Sequence, residues 1–484
     1  MMMDRNRNDE RRKRTVIQPE KKRKGMFGRQ KTEGIMKKGR NHVFACGDTL
    51  LGGFVLFLSV FLVSPLCAAE LLSLEDAIAE ALVRNQDIQV AKGEEKISSN
   101  NVNIGNAGLL PKVDLVGSVN YQDNEEPSVS GLTEFTSTGA TLQANYTLFD
   151  GFGNIYTFRK LKSAGRLGRY QARNDIEQVI LQVSEAYYKL ADAAEQVAVA
   201  KEALAISGER LKRARLRSEY GQANTLEVLS ASVDANADSV AWKDALLGME
   251  NANRTLNLLL NRPIDASYRV KKEVSFDRSM TKEQILRSAK LSFSAYLVAR
   301  ESVKQAEYDL GITRSDFFPE LGMQAGYGFS NTLEGFEPGT DDLSGSFSAA
   351  LTLNFNLFNG FQSSIRSQNA RIELQNRKLV EQKTLSELEK QVADTWQEYM
   401  NRLDVLEFQK KNIETAELNF RRSKELYVIG QLTTTTFREA QLNLINARKS
   451  IASAAYDAKI LELKLKRFAG TLIREEGIVG DDRE

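Results

Sequence analysis

The chain is written twice, and this limits its folds more than its composition does. LFDGF begins at Leu148 and LFNGF at Leu357, 209 residues apart. LLPKVDL at Leu109 matches FFPELGM at Phe317 at an offset of 208, and YGQANTLEVLSA at Tyr220 matches IGQLTTTTFREA at Ile429 at 209. Glu75, Ala81 and Val90 match Glu283, Ala289 and Val298 at 208. Landmarks that keep their spacing over halves of about 200 residues mark a duplicated unit, not a solenoid, whose repeats run to roughly 20–50 residues.

Each half reads as short helix, helix, strand, loop, strand, very long helix, tip, long helix. Val113, Leu115, Gly117, Val119 and Tyr121 alternate with more polar neighbours, as do Leu142, Ala144, Tyr146 and Leu148. In the second half Leu321, Met323, Ala325, Tyr327 and Phe329 alternate likewise, followed by Ala349, Leu351, Leu353, Phe355 and Leu357. Period two gives one apolar and one polar face. A sheet lying with one face on a soluble core has the same alternation. Two features favour membrane strands instead. The polar faces are small and largely uncharged, which suits a wet lumen, and each run has about 10 residues, enough to cross a bilayer when tilted.

The helices are longer than a compact domain needs. Gly151 to Gly221 and Gln362 to Val428 contain no proline. Ile176, Val179, Val183, Ala186, Leu190 and Ala193 recur at spacings of three and four, as do Leu385, Leu388, Val392, Trp396, Tyr399, Leu403 and Leu406. These are coiled-coil seams, and about 65 residues at 1.5 Å each span roughly 100 Å. The return helices (about 224–262 and 433–470) and the helices before the strands (about 86–109 and 295–317) are shorter. Laid end to end, one of each matches a long helix, so each half should set one long helix beside two stacked short ones.

LFDGF and LFNGF mark the change from period 2 to period 3.6. Asp150 and Asn359 are expected to cap helix starts, and Gly151 and Gly360 to permit the turn. Pro111 and Pro319 mark the reverse change, because proline ends a helix and tolerates a strand's first position. Both hairpins then point one way, with all the helices behind them. The hairpin loops, 122–140 and 330–344, carry Glu125, Glu126, Glu134, Glu334, Glu337, Asp341 and Asp342 and read as exposed tips. Phe149, Phe152, Phe358 and Phe361 would sit at a membrane interface; in a soluble protein the same residues would be hydrophobic staples. Four strands cannot close a membrane barrel, whose smallest form has about eight, and open edges do not survive in lipid. The chain must therefore assemble. Two copies would give a filled barrel and three a lumen.

Composition mainly excludes. The formal net charge is +2, but residues 1–69 hold 15 Lys and Arg against 6 Asp and Glu, leaving 51 against 58 in the rest. Lys37, Lys38 and Arg40 precede an uncharged run from Leu50 to Val63, and small residues end at Ala69. This reads as a secretory signal cut after Ala69. A membrane anchor would need roughly 20 apolar residues. Met36 is an alternative start, and Ser64-Pro65-Leu66 is a poor lead-in for lipid attachment at Cys67. The basic run from Arg11 to Lys24 precedes the export signal, so no nucleic-acid partner is expected. Cys46, Cys67 and His42 all lie before the cut. The mature chain thus lacks disulfides, Cys/His metal sites and His-based triads. It shows no phosphate loop or dinucleotide fingerprint, and no cofactor or metal is expected.

In this order and at this fixed offset, the duplication, Leu109-Leu110-Pro111, the two Leu-Phe-Asp/Asn-Gly-Phe junctions and the tips at Tyr220-Gly221 and Ile429-Gly430 resemble the TolC-like outer-membrane efflux proteins. The likeness covers about residues 70–475. It implies a mainly α protein with membrane β: a homotrimeric 12-stranded barrel, four strands per chain, continued by a long periplasmic α-helical barrel. It implies a non-enzymatic channel in outer-membrane lipid, the exit duct of a tripartite efflux or type I secretion system. Its partners would be a periplasmic membrane-fusion adaptor and an inner-membrane pump of RND, ABC or MFS type. In the family the tips are the pore entrance and carry acidic gating residues. Glu227 takes the acidic position in the first tip. The second tip departs, with Thr436 at the first acidic position and Glu439 available for the later one. Gly221, Gln222, Gly430 and Gln431 fall where the adaptor docks.

The expected divisions are residues 1–69 (basic extension and signal), 70–278 (first repeat), 279–475 (second repeat) and 476–484 (tail). Strands are expected over about 111–122, 138–149, 319–330 and 345–358, and long helices over about 152–219, 224–262, 362–428 and 433–470. The rival reading is a periplasmic adaptor or scaffold. It would show one helical hairpin flanked by several β-domains, where this chain has two hairpins and only four strands.

Overall fold

The computed structural model describes residues 71–126, 133–336, 338–340 and 343–475. The expected signal, its cleavage site, both cysteines and the C-terminal tail lie outside the described residues. In chain order the first repeat holds β1 (Leu71–Leu72), α1 (Leu74–Arg84), α2 (Gln86–Asn100), β2 (Lys112–Asp123), β3 (Glu134–Phe149), α3 (Gly153–Glu219) and α4 (Thr225–Leu260). β4 (Arg269–Val270) closes it, and the second repeat holds α5 (Lys282–Ser292), α6 (Ser294–Ser315), β5 (Glu320–Glu334), β6 (Ser344–Asn354), α7 (Gln362–Val428), α8 (Thr434–Ala469) and the short α9 (Leu472–Glu475). The long helices have 67 residues each and the return helices 36 each.

Local chemistry starts and stops these elements. α1 and α5 open on capping boxes, Ser73 with Asp76 and Thr281 with Gln284. Asn85 ends α1 and starts α2: it accepts from Ile88 N at 3.1 Å and donates to Leu259 O at 2.8 Å, fastening α1 and α2 to α4. α2 stops at Asn100, nine residues short of the expected 109. Asn103 and Asn106 satisfy nearby backbone through their own amides, Asn103 to Asn100 O and Asn106 to Asn101 O, which competes with helix.

The four main strands form one antiparallel sheet in the order β2-β3-β5-β6. The register aligns like with like. Leu115, Leu142, Tyr327 and Phe347 form one cross-strand row, while Asp114, Gln143, Gly326 and Ser348 form the next. Nothing in the described chain covers the apolar face: Leu115 is 76 % exposed, Phe347 72 % and Leu351 68 %. The ladder also runs further into the expected loops, to Asp123↔Glu134 and Phe135↔Glu334. Ladder bonds are made by backbone, so they continue where side-chain alternation fades. β6, expected to reach 358, ends at Asn354. Its partner there is Glu320, and Pro319 before it has no N–H to extend the ladder.

The strand-to-helix junction is tighter than a simple cap. Asp150 and Asn359 are not the cap residues; Phe152 and Phe361 are, both left-handed at φ 70° and 64°, with no side-chain cap bond. Asp150 reaches past the turn to accept from Asn154 N at 2.6 Å. The left-handed turn sets Phe152 edge-on to Phe149 at 5.4 Å, and Phe361 edge-on to Phe358 at 5.2 Å. Gly151 stands at φ +68°, where an added Cβ would lie 2.7 Å from both Ser315 O and Phe318 Cβ. Gly151→Ala should therefore cost about 2 kcal/mol or more, from left-handed strain plus overlap, read as a lower unfolding temperature in detergent.

Below the sheet, α2 and α4 pack along α3, and α6 and α8 along α7; α3 joins the halves by packing on α6 and α8. The largest core lies where α1, α3, α4 and α8 meet, around Ile78, Ile180, Val183, Tyr187, Leu256 and Leu260. Burial pushes the Tyr187 hydroxyl up to about 12. It stays neutral, donating to Leu72 O and accepting from Lys271 N, each at 3.0 Å, beside the parallel β1–β4 pair. A second core around Leu388, Val392 and Tyr399 serves the second repeat.

Candidate functional site at the helix tips

Both tips turn by the same device. Gly221 N–H bonds Ser218 O at 3.0 Å and Gln222 N–H bonds Arg217 O at 2.7 Å; Gly430 and Gln431 repeat this with Tyr427 O and Leu426 O at 3.2 and 2.9 Å. The glycines stand at φ +71° and +79°. This is a Schellman stop, in which glycine takes the left-handed position. Gly-Gln at both tips thus has a backbone reason, and it leaves the Gln222 and Gln431 side chains exposed with no bond among the described residues. Asn224 then caps α4 by accepting from Leu226 N, and Thr433 caps α8 by accepting from Thr436 N at 3.3 Å.

Glu227 is half-buried and held from two sides. Arg217 Nη1 lies 3.4 Å away, and the Thr434 hydroxyl donates to it at 3.1 Å. An acid of the first repeat is thereby tied to the second repeat's tip. Thr436 does not meet Glu227; its hydroxyl lies 2.9 Å from that of Thr433. Glu439 is exposed and makes no ion pair among the described residues. A cleft of about 900 Å³ opens between the tips, lined by Arg217, Glu227, Asp234, Gln431, Thr434 and Arg438.

A stronger link between the two tips does not stand out in the sequence. Arg438 on α8 forms a bidentate pair with Asp238 on α4, both bonds 2.7 Å, and its Nε lies 3.8 Å from Asp234. The pair is largely dry, the Arg438 and Asp238 side chains being 14 % and 9 % exposed. Arg210 of α3 also binds Asp234. The signal is present but faint: at the 209-residue offset Arg438 stands opposite Leu229, Asp234 opposite Asn443 and Asp238 opposite Ala447. Charge appears in one repeat where the other is neutral. Arg448 adds a further tie, to Glu202 of α3 and to Glu417 of α7. Among the described residues no cluster of His, Cys, Asp or Glu could hold a metal ion, and no helix is long and apolar enough to cross a membrane.

Two β-hairpins with a bare apolar face, carried on two hairpins of very long helices that end in linked tips, define a class of β-membrane channel with a helical extension. The chain belongs to the outer membrane efflux protein family, whose model matches residues 77–262 and 289–471. Similar proteins include the outer membrane efflux protein BepC of Brucella suis biovar 1 (strain 1330), 20 % identical over 438 residues and covering 90 % of this chain and 93 % of BepC. The cation efflux system protein CusC of Escherichia coli (strain K12) is 22 % identical over 410 residues, 81 % of this chain and 85 % of CusC. Among solved structures, the CmeC outer membrane channel of Campylobacter jejuni superposes with a TM-score of 0.68 at 20 % identity, covering 83 % of this chain and 89 % of that one. At such identity the likeness establishes the fold. The family establishes an outer-membrane efflux channel, a transport protein and not an enzyme. The adaptor reading is thereby set aside.

Proposed function

We propose that three copies join head to tail into one tube, the outer-membrane exit duct of a tripartite efflux or type I secretion assembly. The observation that carries this is a matched pair of open ends. The sheet runs β2-β3-β5-β6 and the helices beneath it run α2-α3-α6-α7, each packing on the next. β2 and β6 have bare edges. α2 and α7 have bare apolar stripes: Val90 and Ile97, 60 % and 62 % exposed, and Ile365, Ile372 and Leu379, 53 %, 53 % and 62 % exposed, all seven residues apart. A heptad stripe is what a coiled-coil neighbour covers. A single head-to-tail contact, β6 and α7 of one copy on β2 and α2 of the next, covers all four ends and closes as a ring. Three copies give the smallest such ring with a lumen.

In this tube the junction residues Pro111, Phe149, Gly151, Phe152, Pro319, Phe358, Gly360 and Phe361 form the aromatic-rich collar at the periplasmic edge of the bilayer. The helices hang into the periplasm as a coiled-coil barrel after signal-peptide export. Glu227, Thr436 and Glu439 line the entrance, and Gly221, Gln222, Gly430 and Gln431 meet the adaptor that links the duct to its pump. Free Gln amides on rigid turns are suited to such a contact.

Single-channel recording of residues 70–484 in a planar bilayer tests the reading. Discrete steps from a heat-dissociable trimer are expected. Glu227→Gln should lengthen openings and weaken cation preference, because it loosens the hold of Arg217 and Thr434 and removes a carboxylate from the mouth. A protein that stays monomeric and soluble without detergent would sink the proposal.

A further inference from the structure

α3 leaves the strand-to-helix junction with two distinct flanks. Thr147, Glu320 and Asn354 of the sheet's polar face share one groove with Asp150, Asn154 and Ser315, so the Asn154 flank of α3 lies on the polar side. At 3.6 residues per turn, Ile155, Arg159 and Lys162 fall on the opposite flank. Phe152 belongs with them: it packs edge-on to Phe149, whose ladder partner is Leu321 of the bare apolar face. This flank stays open in the proposed tube. α2 and α6 occupy the two sides of α3, with Ser98 against Gly168 and Tyr156 against Gly311, and the stripes that meet a neighbouring copy are on α2 and α7. Arg159 and Lys162 are exposed, and neither makes an ion pair among the described residues. Lys160 and Arg166 beside them are held by Asp309 and Glu301. Arg159 Cζ lies 5.9 Å from the Tyr156 ring centre and Lys162 Nζ 4.6 Å from that of Phe158. Each ring precedes its cation by three or four residues, so both heads point back toward the start of α3, and hence toward the sheet. They stand about 6 and 9 Å of helix rise below Phe152. The polar layer of a bilayer is about 5–8 Å deep on each side. The second repeat lacks this arrangement: at the 209-residue offset Tyr156, Phe158 and Arg159 become Ile365, Ser367 and Gln368.

We propose that Arg159 and Lys162 clasp the phosphate of an anionic phospholipid in the periplasmic leaflet, one lipid per chain. This rests on the reading that sets the aromatic junction at the edge of the bilayer. Residues three apart are neighbours on a helix surface, so the guanidinium and the ammonium can share one phosphate, the first as a planar fork and the second as a point charge. The rings beneath them hold both heads in place through cation–π attraction. Above the phosphate, Ile155 and Phe152, 41 % and 54 % exposed, offer apolar surface to the glycerol and the first acyl carbons. The bare sheet face continues that surface upward, which favours an occupant with a charged head and apolar chains over an acidic protein segment.

The test places the full mature chain in nanodiscs of phosphatidylglycerol and phosphatidylcholine in equal parts, and native mass spectrometry counts the lipids it retains on release. Wild type should keep phosphatidylglycerol over phosphatidylcholine by roughly tenfold or more, since each cation near the surface is worth about fivefold. Arg159→Gln combined with Lys162→Gln should bring that ratio to about one. Lys212→Gln combined with Arg213→Gln removes the same charge about 75 Å further along α3 and should leave the ratio unchanged. Glycerophosphoglycerol, the headgroup without chains, should not displace the retained lipid. Equal retention of the two lipids by wild type, a preference that survives in the Arg159/Lys162 variant, or an equal loss in the Lys212/Arg213 variant would overturn the proposal. Displacement by the free headgroup would also overturn it, in favour of a soluble phosphate ester. A chain that enters neither these nanodiscs nor pure phosphatidylcholine ones overturns the membrane reading and this proposal with it. One that enters both and shows no preference overturns this proposal alone.

Discussion

Ile97→Glu or Leu379→Lys alone should leave the protein monomeric in detergent, and the two together should restore the trimer. Each single change puts a charge in the apolar seam proposed between α7 of one copy and α2 of the next. Burying an unpaired charge costs several kcal/mol, and a closed ring carries that cost at every seam. The pair is level by depth: an added Cβ at Gly168 would lie 2.5 Å from Ser98, so Ser98 sits at the height of Gly168 on α3. The residue at the same depth on α7 is Arg377, 209 positions on and half a turn from Leu379. Light scattering after size exclusion reads the outcome. Trimers from either single variant, or no rescue in the double, would refute the head-to-tail contact.

Arg438→Ala should produce the largest change at the tips. It leaves Asp238 dry and unpaired, a loss of about 3–5 kcal/mol, and it frees α8 from α4 at the end of both hairpins. Conductance through the assembled protein should rise severalfold, with long openings replacing brief ones. The salt response separates this link from its neighbour. The Arg217–Glu227 pair is 42 % and 22 % exposed and should weaken as ionic strength rises, while the drier Arg438–Asp238 pair should not. In wild type, raising salt from 0.1 to 1 M should therefore reproduce the Glu227→Gln behaviour and not that of Arg438→Ala. An Arg438→Ala protein whose conductance matches wild type would remove this pair from any part in closing the tube.

The acid at the first tip shows how far sequence carries and where it stops. Glu227 was identifiable by its place after Tyr220-Gly221, but reading along one tip could not give it Thr434 as a partner, because that residue is 207 positions away. Arg438 and Asp238 were harder still. Each reads as an ordinary surface charge on a helix, and only the packing of both α4 and α8 on α3 brings them together and desolvates them. Arg210 likewise passes for a solvated residue on α3 until α7 and α8 close over it.

Periodicity, proline and glycine placement, and the duplication are local or self-referential signals, and these settled the element types and the two-hairpin plan. Strand alternation fixed which residues share the bare face, since a one-residue slip would turn every side chain over. Tertiary structure alone decided which charges meet, and element ends turned on single contacts that periodicity does not register. α2 stops early because asparagine amides capture its backbone, and β6 stops at Asn354 because a proline precedes the first residue of its neighbour β5. The ion pairs between the tips exist because two copies of one motif, once folded side by side, present different charges to each other. No pattern within either copy encodes that meeting; it arises from distances across the fold, which a single sequence does not carry.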